Sequence, residues 1–160
     1  AASPQNTLYL DLEWGRVVIE MLPSVAPKHV ARIKQLVRRK FYDGLKFHRV
    51  IRGFMAQTGD PQGNGTGGSG RNIAAEFSTV KHVRGTVSMA RASDPDSADS
   101  QFFIMFAPAP FLDGKYTIWG KVISGMEHVD RIRKGLKRNN GVVGDPDHIV
   151  RMRMATEVDK

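Results

Sequence analysis

From Thr7 to Glu13 apolar and polar residues alternate, with Leu8, Leu10 and Leu12 on one side, the period of a half-buried strand. Trp14-Gly15 reads as a turn and Arg16 to Leu22 as the partner strand of a hairpin. Pro23 and Pro27 punctuate the next stretch. Pro27 suits the first position of a helix, where a missing N–H costs nothing. Val30, Ile33, Leu36 and Val37 then recur at helical spacing with basic residues opposite, and Phe41 to Gly44 closes that helix. Residues 47–58 are strand-like with a break at Gly53, and 83–90, 101–106 and 116–122 are further strands. Residues 126–135 give a second short helix through Met126, Val129 and Ile132. The last strand, 149–156, alternates Val150, Met152 and Met154 against Arg151 and Arg153. A glycine-rich loop (59–71) and a polar loop (93–100) lie between strands. Many short strands with two helices predict a mainly β fold, a closed and mostly antiparallel barrel with helices over its ends. Closure removes edges that invite aggregation.

The chain has 160 residues, a length that fits a single domain over residues 1–160 and a core needing no covalent staples. It has no cysteine, which excludes disulfides, thiolate nucleophiles and cysteine-ligated zinc. No apolar run is long enough for a transmembrane helix. The small residues Ala1-Ala2-Ser3 fit the remnant of a cleaved signal peptide and tilt the expected location toward a bacterial periplasm rather than a cytoplasm.

Charge changes the picture only in part. The net charge is +8, and residues 28–52 carry Lys28, Arg32, Lys34, Arg38, Arg39, Lys40, Lys46, Arg49 and Arg52 against Asp43 alone. A second basic group is Arg131, Arg133, Lys134, Lys137 and Arg138. Such patches can attract nucleic acid or an anionic surface. Aromatic residues do not alternate with the charges along these helical runs as a stacking platform requires, so they read as solvated helix faces.

Most other motifs carry no chemistry. GNGTGGSG matches G-x-G-x-x-G at Gly63/Gly65/Gly68 and again at Gly65/Gly67/Gly70. No helical pattern succeeds it, as a dinucleotide site requires, so the loop is read as one that lets backbone approach another segment closely. The five histidines show no metal-ligand spacing on a helix, and His48 is read as a satisfied structural residue. Asp94, Asp96 and Asp99 lack the glycine and terminal glutamate of a calcium loop and read as a solvated turn.

FHRVIRGFMAQ, residues 47–57, is the exception. It sets Arg49 among Phe47, Val50, Ile51, Phe54 and Met55. Arginine is rarely buried without a partner, and its guanidinium donates hydrogen bonds but cannot act as a base. A fixed cation beside an apolar wall suits polarisation and positioning rather than proton transfer. Farther along, Gln101, Phe103 and Met105 share one face of their strand and Phe102, Ile104 and Phe106 the other. A glutamine beside Phe103 is what a groove reading backbone amides would use.

Together, FHRVIRGFMAQTGD, the NGTGG loop, SMA at Ser88–Ala90, SQFFI at Ser100–Ile104 and FLDGKYTIWGKV resemble the cyclophilins, the peptidyl-prolyl cis-trans isomerases, in order and in spacing over nearly the whole chain. The resemblance implies an eight-stranded antiparallel barrel capped by two α-helices. It implies a catalytic group of Arg49, Phe54 and Gln57, and substrate contacts from Met55, Ala90, Arg91, Gln101, Phe103, Phe111, Leu112 and Tyr116. No metal or cofactor is implied. The implied partners are proline-containing peptides and unfolded or folding proteins, met by a monomer.

Three positions depart from the eukaryotic pattern and give the chain a bacterial look. Phe111 stands where tryptophan is common, so the indole donor to cyclosporin is missing and binding of that drug is expected to be weakened. Tyr116 replaces a histidine and can still close the pocket. Arg91 replaces an asparagine, which alters any side-chain contact there but not backbone contacts. A non-catalytic proline-binding or chaperone module, and a nucleic-acid-binding barrel, are the competing readings. Retention of the arginine, the pocket aromatics and the glutamine together argues for the enzyme.

Overall fold

The alternation of the first hairpin is realised in the computed structural model, which describes residues 3–158. β1 (Thr7–Leu12) pairs with β2 (Gly15–Met21) so that Leu8 meets Ile19 and Leu10 meets Val17, all four fully buried. Helix α1 (Pro27–Arg38) starts with Pro27 in its first turn and buries Val30, Ile33, Leu36 and Val37. It ends where Lys40 takes the left-handed conformation, φ 61°. The strand-like run 47–58 is split at Gly53, φ 74°, into β3 (Arg49–Ile51) and β4 (Met55–Thr58). The remaining elements are β5 (Thr86–Met89), β6 (Phe102–Met105), β7 (Ile118–Ser124), α2 (Met126–Asp130), β8 (Arg151–Met154) and α3 (Ala155–Val158).

The eight strands form one antiparallel sheet in the order β3-β4-β6-β5-β7-β2-β1-β8. The expected closure of the barrel is not realised: the sheet is an open half-barrel with β3 and β8 at its edges. Each edge strand is only three or four residues long. The segment before β8 occupies the seam through isolated bridges, Lys46↔His148 and Arg49↔Val142. It also accepts a 2.9 Å hydrogen bond from Phe47 N–H at Asp147 O and gives one of 2.8 Å from Ile149 N–H to Leu45 O.

Two helices were expected, and three α-helices form among the described residues. The last strand stops at Met154 and the chain turns into α3, while the second helix ends at Asp130 rather than near Gly135. Ala1 and Ala2, on which the export expectation rests, lie outside the described residues.

Two apolar clusters occupy opposite faces of the sheet. Val50, Ala56, Ile104 and Val87 share one rung across four strands inside the main core with Trp119 and the buried side of α1. The alternate residues Ile51, Met55, Phe103 and Met105 form a second, smaller cluster with Ala109 and Leu112. Period-two geometry forces this split, and the second cluster becomes the floor of a site.

Candidate active site

One rung of the sheet carries the site. Arg49 pairs with Gln57, Gln57 with Phe103, and Phe103 with Ser88. Directly opposed residues put their side chains on the same face, so three strands bring the cation, the amide and the ring into one row. Phe54, Met55, Ala90, Arg91, Leu112 and Tyr116 complete a pocket with Arg49, Gln57 and Phe103. Nine of the eleven residues named from the sequence therefore line one pocket. Gln101 lies next door, on the rim of a larger polar cavity formed with the glycine-rich loop. Phe111 is not among the lining residues; it is 65% exposed and its ring lies 5.7 Å from that of Phe54, outside the pocket mouth.

Arg49 is held by three hydrogen bonds. Nη1 donates to Gln57 Oε1 (3.2 Å), Nε to the Asn140 carbonyl (2.9 Å) and Nη2 to Asn140 Oδ1 (3.0 Å). Partial burial draws its pKa down from the ordinary value, Tyr116 opposing, yet arginine starts so high that it stays a cation. The amides continue the chain. Gln57 Nε2 donates to Gln101 Oε1 (2.9 Å), and Gln101 Nε2 donates to the carbonyls of Gly65 (3.0 Å) and Gly67 (2.9 Å). Each amide orientation is fixed by the arginine at one end and loop carbonyls at the other.

The pocket walls are equally constrained. Tyr116 meets Phe103 edge-on at 5.8 Å, and the Arg91 guanidinium lies 4.7 Å over the Tyr116 ring. Arg91 spends its remaining donors on the carbonyls of Lys115, Ala92 and Ser93. Behind Phe103, His82 stacks at 6.2 Å. His82 Nδ1 lies 3.1 Å from Asp113 Oδ1 and Nε2 lies 2.9 Å from Ser88 Oγ. This is a serine–histidine–aspartate line, but Ser88 is fully buried and no substrate can reach its hydroxyl. Its work is to brace the Phe103 wall.

The glycine-rich loop approaches its neighbours closely, as expected, and corrects the reading of a solvated turn. Its N–H groups do surround anions, but these are the protein's own carboxylates. Asp60 accepts from the backbone of Gln62 (2.8 Å), Asn64 (3.0 Å) and Gly65 (2.6 Å). Burial works against the Asp60 carboxylate, but the loop N–H groups outweigh it and hold its carboxyl below the usual range. Asp99 accepts from the backbone of Ser69 (3.0 Å), Gly70 (3.0 Å) and Arg71 (3.1 Å), from the Ser69 hydroxyl, and lies 3.7 Å from Arg32. Asp99 is thus a loop organiser, not a solvated turn. Glycine is needed because a Cβ at Gly67 would collide with Asp60 and one at Gly68 would stand 2.5 Å from Asp99. Asp94 and Asp96 are also engaged, accepting backbone N–H groups of Asp96 and Ala75.

His48 is buried as expected but not satisfied. Neither ring nitrogen has a hydrogen-bond partner among the described residues, and Gly65 sits over Nε2. Burial pushes its pKa down, with Asp60 pulling the other way. Among the basic residues, Arg32 is no solvated side chain: it is buried and donates to the Arg71 carbonyl (2.6 Å).

Asn140 was missed by sequence reasoning. It contacts Arg49 from 91 positions away and holds the left-handed conformation, φ 56°. Asn-Asn-Gly at 139–141 is the signal that marks such a turn.

Known proteins resemble this chain in sequence and fold. Residues 7–154 match the family described as cyclophilin type peptidyl-prolyl cis-trans isomerase. A protein from Brucella suis named probable peptidyl-prolyl cis-trans isomerase is 55% identical, covering 94% of this chain and 83% of the relative. Peptidyl-prolyl cis-trans isomerase B of Bacillus subtilis is 45% identical over 81% of this chain and 92% of its own. A cyclophilin crystal structure from Hirschia baltica superposes with a TM-score of 0.87 at 29% identity, covering 98% of this chain and 76% of that one. One from Cryptosporidium parvum, crystallised in the presence of the dipeptide Ala-Pro, gives 0.84 at 31% identity over 92% and 98%. The chain belongs to the cyclophilin-type peptidyl-prolyl cis-trans isomerases. It is an isomerase, acting on the bond that precedes proline.

Proposed function

We propose that Arg49 accelerates this rotation by donating a hydrogen bond to the twisted imide while the neighbouring apolar pocket holds the proline ring. An amide resists rotation by about 18–20 kcal/mol because nitrogen shares its lone pair with the carbonyl. X–Pro bonds have nearly balanced isomers that exchange over roughly tens to hundreds of seconds. No bond need be made or broken; the enzyme has only to favour the twisted state over both planar ones. Twisting returns the lone pair to the prolyl nitrogen, so a donor aimed there gains strength in the transition state.

The observation that carries this reading is the guanidinium pinned by Gln57 and Asn140 at the edge of a pocket walled by Phe54, Met55, Phe103, Leu112 and Tyr116. Phe54 and Gln57 act with it, the ring shielding the amide and the glutamine orienting the cation. Ala90, Arg91 and Gln101 line the path of the flanking peptide, and the Cryptosporidium parvum structure obtained with Ala-Pro supports a prolyl ligand. The substrates are proline-containing peptides and unfolded or folding proteins, and the chain works as a monomer and a single unit. No helix among the described residues is long and apolar enough to cross a membrane.

Arg49→Ala tests the mechanism. In a protease-coupled assay on a proline tetrapeptide it is expected to lower kcat/KM at least about a hundredfold, about 2.7 kcal/mol, with a cooperative melt retained. Near-normal turnover would remove Arg49 from the mechanism.

A further inference from the structure

Arg49 has a second neighbour on its rung. On the side away from Gln57 it forms an isolated antiparallel bridge with Val142. The row across the sheet therefore runs Val142, Arg49, Gln57, Phe103, with Val142 on the same face as the arginine. Val142 is 61% exposed, and Leu136 at 52% lines the same shallow groove with Gly135, Asn139 and Lys134. The Lys134 ammonium is turned away, bonded to the carbonyls of Asp130 and Ile132 and held 5.2 Å over the Phe106 ring. Its methylene stem is what the groove sees.

This shelf is tied to β3 by backbone hydrogen bonds. Val50 N–H donates to Gly141 O (2.8 Å), Gly135 N–H to Val50 O (2.9 Å), Val143 N–H to His48 O (3.1 Å) and Gly141 N–H to Leu136 O (2.9 Å). Cβ atoms at Gly135 or Gly141 would collide with the Gly141 carbonyl or Ile51, so the segment lies flush on β3. Two branched apolar side chains are thus held out to solvent on this base. Lys137, Arg138 and Asn139 beside them are all exposed. The shelf adjoins Arg49 through the Val142 bridge and the two hydrogen bonds that Arg49 gives Asn140.

We propose that Leu136 and Val142 form an apolar subsite that receives a large aliphatic or aromatic substrate side chain one or two residues from the prolyl bond. This rests on the reading of Arg49 as the residue at that bond. The distances allow it. Opposed residues stand about 4.5–5.5 Å apart at Cβ, and an extended peptide advances about 3.3–3.6 Å per residue. A substrate engaged by Arg49 therefore places a neighbouring side chain over Val142. The preferred substrates then combine proline with a nearby Leu, Ile or Phe, the composition of buried segments exposed during folding.

The test uses the whole chain and NMR exchange on peptides Gly-X-Ala-Pro-Z-Gly, with Leu or Ser at X or at Z. The protein is expected to favour Leu over Ser by about five- to tenfold in kcat/KM at one of the two positions. Leu136→Ser/Val142→Ser is expected to bring that ratio to about one; Val142→Thr, nearly the same shape, is the variant to use if the double one melts early, and should lower the ratio by at least about half. No Leu preference in the unaltered chain, or a preference that survives these substitutions, overturns the subsite. Arg49→Ala measured on the same peptides separates the two ideas: near-normal turnover there defeats the role of the arginine, whereas the Leu/Ser ratio reports on the shelf alone.

Discussion

Asn140 offers the sharpest test of how the arginine is aimed. It supplies two of the three hydrogen bonds on the guanidinium, one from its carbonyl at 2.9 Å and one from its side chain at 3.0 Å. It does so from a left-handed backbone, φ 56°. Asn140→Gly keeps that backbone at no steric cost and deletes only the side-chain acceptor. Asn140→Ala deletes the acceptor and adds about 1 kcal/mol of left-handed strain, which relaxes by moving the carbonyl that holds Nε. Because Asn140 is exposed, water replaces part of the lost bond, and the net cost falls from the charge-assisted range into the ordinary one of about 0.5–1.5 kcal/mol. Glycine is therefore expected to lower kcat/KM about three- to tenfold, and alanine about ten- to thirtyfold, since each factor of ten is about 1.4 kcal/mol. Asn140→Asp, which tolerates the same backbone and keeps an acceptor, is expected to stay within about threefold. The assay is proline-tetrapeptide isomerisation with kcat and KM separated by NMR line shapes, and thermal melts report stability alongside. Wild-type turnover in both the glycine and alanine variants would refute the reasoning, as would a loss that tracks melting temperature and not the acceptor.

Other contacts lead to three more expected outcomes. His29, His48 and His82 are each pushed below the ordinary 6.5, chiefly by burial, so the native state holds them neutral while the unfolded chain takes up protons as pH falls through that value. Their contribution is full above pH 6.5 and is lost on acidification, so calorimetry should show Tm falling between about pH 7 and about pH 5; a flat profile would contradict it. Asp99→Ala removes the acceptor of three loop N–H groups, two of them exposed, and the carboxylate 3.7 Å from buried Arg32, for about 1–3 kcal/mol in urea unfolding, and a loss below about 0.5 kcal/mol would refute that role. Phe111→Trp restores an indole donor at the exposed rim and should tighten cyclosporin binding by calorimetry; unchanged affinity counts against that placement.

Much of the sheet was legible because alternation is a local signal. Leu8, Leu10 and Leu12 predicted their own burial, and Pro27 announced its helix. Closure was not legible. Whether β3 meets β8 depends on how residues 142–149 fill the seam, and nothing in either short strand encodes that. The pocket residues emerged because they cluster in a few segments with an arginine at an unusual position. Asn140 did not, since its partner is 91 positions away. Asp60 and Asp99 were obscured for the opposite reason: acidic residues beside glycine-rich loops usually face water, and only the folded loop shows its N–H groups turned inward upon them. The final strand was overextended into α3 because neither Ala155 nor Thr156 is a glycine or proline that would mark its end.

The open seam has a consequence for how this enzyme fails when warmed. Strand β3 owns one full ladder, to β4, and on its other margin only the Arg49↔Val142 bridge and a few bonds to an irregular segment. Marginal strands breathe first, through partial openings far cheaper than global melting. The cation proposed for catalysis thus rides on an edge strand, held on that side by the shelf's backbone bonds. Heat should silence turnover several degrees before the main core gives way, and deuterium should enter the amides of residues 49–51 ahead of those in β1, β2 and β7.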